Sequence, residues 1–130
     1  MKYSGYYLIA TGVIHSLIGF ALGWNILTAM HQDNWFASTV INNEMLFDRE
    51  AIVWFILSGV FWVLFGLMLQ KALNEGFIPP LSLAWGFILI GITIAIIMPI
   101  SGAYLFIVQG VILLLGIKKS NTNKALLNPA

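Results

Sequence analysis

Tyr3 to Trp24 reads YSGYYLIATGVIHSLIGFALGW, an apolar run broken only by His15. About 20 such residues cross the roughly 30 Å of a bilayer's hydrocarbon. The run is too long for a signal-peptide core, and no small-residue cleavage site follows it, so it reads as a retained span. In hydrocarbon the backbone must satisfy its own hydrogen bonds, which makes the span a helix.

Three further stretches have the same character: 51–70, 81–98 and 102–117. The chain of 130 residues is 60% hydrophobic and only 8% charged, with a mean hydropathy of +0.93. Soluble domains carry about 25% charged residues. Six basic and five acidic side chains cannot cover a water-soluble surface. This excludes a soluble enzyme, a disordered segment and a nucleic-acid binder. With no cysteine, disulfides, thiol chemistry, iron–sulfur clusters and zinc–thiolate sites are excluded too. No metal site is expected, and no cofactor is indicated. The expected fold is an all-α membrane protein. Four transmembrane helices form one antiparallel bundle over residues 1–119, and a polar cytoplasmic tail follows at 120–130.

Boundary residues support these limits. Tyr3, Tyr6 and Tyr7 make an aromatic belt at one end of the first helix, and Trp24 marks the other. Asp48 suits an N-cap of the second helix, and Glu50 suits its positive end. Pro79 and Pro80 open the third helix, Pro99 ends it, and Ile100-Ser101-Gly102 is a tight turn into the fourth.

Lysine sets the direction. Lys2, Lys71, Lys118, Lys119 and Lys124 fall on one side of a four-span topology, and Arg49 is the lone basic residue on the other. The positive-inside rule then puts both termini in the cytoplasm. Residues 25–48 lie outside, where Trp35, Phe36, Val40 and Ile41 recur at near-helical spacing. That pattern fits a short interfacial helix in the first outer loop, or a loop anchored by its aromatics.

The segment Thr11 to Gly19 resembles Ser58 to Gly66 at an offset of 47 residues. Each carries a small hydroxyl residue, a glycine, and a second glycine seven positions on. Gly12, Ser16, Gly19 and Gly23 form a smooth stripe, with Gly59 and Gly66 as counterparts. Small residues let membrane helices approach closely. The repeat reads either as two related halves around a site or as convergent packing.

At 1.5 Å of rise per residue, His15, Ser58, Trp62, Thr93 and Gln109 fall at a similar depth. Polar groups in hydrocarbon are costly unless paired, so these side chains are expected to face inward and meet. His15 is open to three readings: interhelical glue worth about 0.6 kcal/mol, a ligand-binding or proton-handling group, or an axial metal or haem ligand. Asp48-Arg49-Glu50, with Trp54 one turn below, is a second constellation. It is either a cap with interfacial anchors or a charged outer mouth, shared with Ser101 and Tyr104. His15, Glu50 and Trp54 would then supply base, acid and stacking face.

Gly12 to Gly19, Asp48 to Phe55 (DREAIVWF) and Pro99 to Gly102 (PISG) resemble a family of small bacterial four-helix membrane proteins known only as a domain of unknown function. The resemblance covers most of the chain. It implies a bacterial inner-membrane protein and brings no activity or cofactor. The architecture is also broadly similar to DoxX-like and sterol-isomerase-type four-helix proteins, without a residue-by-residue motif. The expected function is a membrane protein that binds a lipophilic small molecule, or docks as an accessory subunit onto a larger membrane complex. One alternative is an intramembrane enzyme using His15 and Glu50 as acid and base. Another is a transporter or channel, dimeric across the Gly19/Gly23 stripe.

Overall fold

The computed structural model describes residues 1–127, and side chains through residue 122. The element order is α1 (Ser4–Leu22), α2 (Trp24–Gln32), β1 (Val40–Ile41), β2 (Glu44–Met45), α3 (Phe47–Asn74), α4 (Leu81–Ile97) and α5 (Tyr104–Leu127). Three helices are long and apolar enough to cross a membrane: α1, α3, and α5 over Tyr104–Thr122. Helix α4 is apolar but has 17 residues, about 26 Å of rise. Gln109, Gln70 and Ser4 are buried, while Ile100, Phe36, Leu22 and Ile96 are exposed. Large apolar side chains over the outside, with polar ones buried among the core residues, suit a hydrocarbon solvent.

The chain forms two compact units, Ala10–Leu64 and Met1–Ile9 with Phe65–Ala130. In the first, α1 and α3 run backbone to backbone. A Cβ on Gly12 would stand 2.5 Å from the Gly59 carbonyl oxygen and 2.9 Å from the Val63 nitrogen. A Cβ on Gly59 would stand 2.7 Å from the Gly12 carbonyl oxygen and 3.0 Å from the Ser16 nitrogen. The contact is reciprocal, so the 47-residue offset matches Gly12 with Gly59 and Ser16 with Val63. Ser16 Oγ donates to the Ile56 carbonyl at 3.2 Å.

Within the second unit, α4 and α5 use the same device. A Cβ on Gly91 would lie 2.9 Å from the Ile107 nitrogen and 3.1 Å from the Ala103 carbonyl oxygen. One on Gly110 would lie 2.6 Å from the Ala84 carbonyl oxygen and 3.0 Å from the Ile88 nitrogen. Ala84, Leu113 and Ile117 form the buried core here, packed against Met1, Ile78, Leu83, Phe87 and Leu114. Phe65, Phe87 and Phe106 follow one another at 6.2 and 6.1 Å between ring centroids.

Helix boundaries differ from the sequence reading in ways the backbone explains. The first run breaks at Gly23, and α2 begins at Trp24. So the outer segment has a helix, but not at Trp35 to Ile41. Asn34, Trp35 and Ala37 have φ of 60°, 65° and 52°, which a right-handed helix cannot hold. Val40 and Ile41 instead pair with Met45 and Glu44. The connecting Asn42 and Asn43 have φ of 53° and 64°, the left-handed pair that a two-residue hairpin turn requires. Asp48 sits inside the first turn of α3 rather than capping it, because the helix already starts at Phe47. It and Glu50 still lie where a carboxylate favours the helix dipole. At the other end α5 continues through Leu127, past the expected limit at 117. Residues 128–130 of the expected tail lie outside the described residues.

Helix α3 overruns its expected end at Gln70 and stops at Asn74. The Gly76 nitrogen bonds to the Leu73 carbonyl at 3.2 Å, and the Phe77 nitrogen to the Ala72 carbonyl at 3.0 Å. With Gly76 at φ +84°, this is a Schellman stop. Nothing lies within 4 Å of a Cβ placed there, so Gly76→Ala carries only the left-handed backbone cost. Unfolding measurements should find it about 1 kcal/mol less stable than wild type. An unchanged stability would mean that the stop does not constrain α3.

Candidate functional site

His15 and Ser58 face each other within residues 10–64. His15 Nε2 lies 3.0 Å from Ser58 Oγ, and Ser58 Oγ lies 2.8 Å from the Phe55 carbonyl oxygen. A serine hydroxyl has one proton. For both contacts to be hydrogen bonds, Ser58 donates to Phe55 and accepts from His15 Nε2–H. The imidazole also has the Phe55 backbone as a hydrogen-bonding partner.

Aromatic rings fix the plane of the imidazole. Phe55 stacks on it at 3.9 Å between centroids and 17° between planes. Trp62 lies nearly parallel at 6.3 Å and 18°. Phe55, Ser58 and Trp62 recur at the spacing that brings side chains to one side of a helix. The ring is half-buried, so part of it is open to whatever surrounds the helices.

The other residues of the expected layer find their partners inside the second unit. Gln109 is fully buried and donates from Nε2 to Ser4 Oγ at 2.8 Å and to the Ser4 carbonyl at 3.3 Å. Among the described residues, its Oε1 has no hydrogen-bond partner. Thr93 is exposed and donates to the Leu89 carbonyl of its own helix at 2.9 Å. Each within its own unit, His15 pairs with Ser58 and Gln109 with Ser4. Equal depth does not fix the direction a side chain faces.

At the expected outer mouth, Arg49 is bound within the fold. One guanidinium nitrogen contacts Asp33 Oδ2 at 2.6 Å and the Ser38 carbonyl at 2.7 Å. It thereby holds the left-handed stretch from Asn34 to Ala37 against the start of α3. Trp35 Nε1 donates to His31 Nδ1 at 3.0 Å. Glu50 is half-buried, Trp54 is 63% exposed, and Tyr104 donates to the Pro99 carbonyl at 3.1 Å. The rings that stack on His15 belong to Phe55 and Trp62. Phe55 was missed, although it stands one turn before Ser58, which is the signal that marks it.

The glycine stripe is internal. Gly19 meets the Phe55 and Ile56 side chains, and Gly23 meets Ile52. Gly66 meets the Gly5 carbonyl oxygen and Ile9. The Gly19/Gly23 face is packed against α3. Among the described residues, no three or more His, Asp or Glu side chains gather in a way that could hold a metal ion. An open groove of about 320 Å³ is lined by Tyr6, Leu67, Gln70, Lys71, Asn74 and Glu75.

Residues 1–120 match a family described as a family of unknown function, DUF6463. The chain belongs to DUF6463. No curated protein and no solved structure matches it. In this DUF6463 member, the arrangement around His15 is that of an oriented imidazole among aromatic rings. It can bind and orient a polar head group on an apolar molecule.

Proposed function

We propose that this DUF6463 member is a four-span protein of the bacterial inner membrane with both termini in the cytoplasm, and that it binds a small lipophilic molecule at His15. The lysines at 2, 71, 118, 119 and 124 support the orientation. Helix α4 reaches the fourth span by local thinning of the bilayer or by its flanking turns. The observation that carries the binding reading is the His15–Ser58–Phe55 chain. It holds a half-buried imidazole, bonded to Ser58 and stacked on Phe55, within an apolar helix pair.

The test is extraction from the native membrane in a mild detergent, followed by mass spectrometry of solvent-extracted small molecules. Wild type is expected to carry one lipophilic species above the bulk lipid. His15→Leu should lose it, and Gly86→Ala, made at a position with open space around it, should keep it. An empty wild-type protein, or a species retained equally by His15→Leu, overturns the reading. A protein subunit retained in place of a small molecule favours an accessory role instead.

A further inference from the structure

We infer that the groove at the Lys71 end of α3 binds the head group of a phospholipid that carries a primary ammonium beside its phosphate, as phosphatidylethanolamine does. Its walls all belong to one unit of the fold. Tyr6 comes from the first turn of α1, while Leu67, Gln70, Lys71, Asn74 and Glu75 come from the end of α3 and the turn after it. The volume of about 320 Å³ is that of roughly ten waters at about 30 Å³ each, enough for such a head group. Gln70 is buried, and its amide is used by the Lys2 carbonyl, Asn74 and the Tyr6 N–H. Asn74 accepts from it through Oδ1, which leaves Nδ2 as the outward end of the Asn74 amide. Among the described residues, Asn74 Nδ2, the Tyr6 hydroxyl and Lys71 Nζ have no hydrogen-bond partner. All three are donors.

The charges select the head group. Lys71 and Glu75 stand about one helical turn apart, and among the described residues neither is in an ion pair. Lysine before glutamate is the weaker order for a pair on one helix, and Glu75 lies just past Asn74, where α3 ends. An ammonium and a carboxylate held apart in this way match a zwitterion whose phosphate and ammonium are joined by two carbons. The phosphate meets Lys71, Asn74 Nδ2 and the Tyr6 hydroxyl. The lipid's ammonium meets Glu75 at the negative end of the α3 dipole. Leu67, one turn before Lys71, is 53% exposed, and Met68 beside it 61%. Apolar surface therefore continues from the groove along α3, where acyl chains lie. Phosphatidylglycerol has no cation for Glu75, and the choline of phosphatidylcholine has no N–H to give it.

Native mass spectrometry of the full chain in a mild detergent reads the selectivity directly. The probes are phosphatidylethanolamine, phosphatidylcholine and phosphatidylglycerol with identical acyl chains. The ethanolamine lipid should bind about tenfold more tightly than either of the others. Glu75→Gln should bring the ethanolamine and choline lipids within about twofold of each other, and Lys71→Gln should weaken all three by about fivefold. Both side chains are exposed, so both variants should keep the wild-type melting temperature. Soluble phosphoethanolamine, which lacks the acyl chains, should fail to displace the lipid at equal concentration. Wild-type affinities within about twofold of one another, tighter binding of phosphatidylglycerol, or full selectivity in Glu75→Gln overturns the head-group assignment. Displacement by soluble phosphoethanolamine overturns the lipid as the source of the head group. A result against this groove leaves the His15 reading standing, because His15→Leu is read on a different molecule in a different unit of the fold.

Discussion

Gly59→Ala destabilises the protein by about 1–3 kcal/mol, the usual cost of forcing a methyl group into a filled interior, whereas Gly86→Ala costs nothing measurable. Both substitutions add one methyl group to a helical glycine. At Gly59 the new Cβ would lie 2.7 Å from the Gly12 carbonyl oxygen and 3.0 Å from the Ser16 nitrogen, and would overlap Ser16 Oγ. Two of those three are backbone atoms, which cannot rotate away. Relief requires α1 and α3 to separate, and separation loosens the Ser16–Ile56 and His15–Ser58 hydrogen bonds as well. At Gly86 nothing lies within 4 Å of the added atom, and alanine is the better helix former. Equilibrium unfolding in mixed micelles, followed by tryptophan fluorescence, separates the two. Equal effects at both positions would mean that the close approach of α1 and α3 is not what holds this pair.

Gln70→Leu is the second large loss, at least about 2 kcal/mol, because buried groups left without partners cost about 1–3 kcal/mol each. Gln70 is buried, and each end of its amide is engaged. Nε2 donates to the Lys2 carbonyl and to Asn74 Oδ1, both at 2.9 Å. Oε1 accepts the Tyr6 backbone N–H at 3.2 Å. That N–H belongs to the first turn of α1, where a helix has no partners of its own. A side chain of α3 therefore caps α1. Leucine matches the shape but satisfies none of these groups. Faster hydrogen exchange at the Tyr6 amide should accompany the lost stability and locate it. Wild-type exchange at Tyr6 would show that the cap contributes nothing.

The apolar runs were legible because they are a property of composition over length. Any run of that kind must bury its backbone hydrogen bonds in a helix, wherever its neighbours lie. The 47-residue repeat was legible as well, and its physical content is the reciprocal approach of Gly12 and Gly59. The loop was misread because Trp35 to Ile41 has helical spacing, and spacing says nothing of φ. The stronger signal was Asn42-Asn43 between Val-Ile and Glu-Met, since asparagine tolerates the left-handed region that a tight hairpin requires.

The candidate site divides in the same way. His15 announced itself as an ionisable residue within an apolar run, and Ser58 as a polar one. Phe55 did not, because an aromatic residue in a membrane helix is ordinary until its ring is seen 3.9 Å from an imidazole. Thr93 and Gln109 were placed by depth, which does not name their partners within their unit, Leu89 and Ser4. The sequence by itself determined that this chain is helical, apolar enough to need a membrane, and sparing with polar groups. Period and composition alone fix those properties. Only the tertiary structure decided which polar groups pair, which glycines face another backbone, and which rings stack on His15. Those depend on the azimuth of each helix about its own axis, and the packing of neighbouring helices sets that angle.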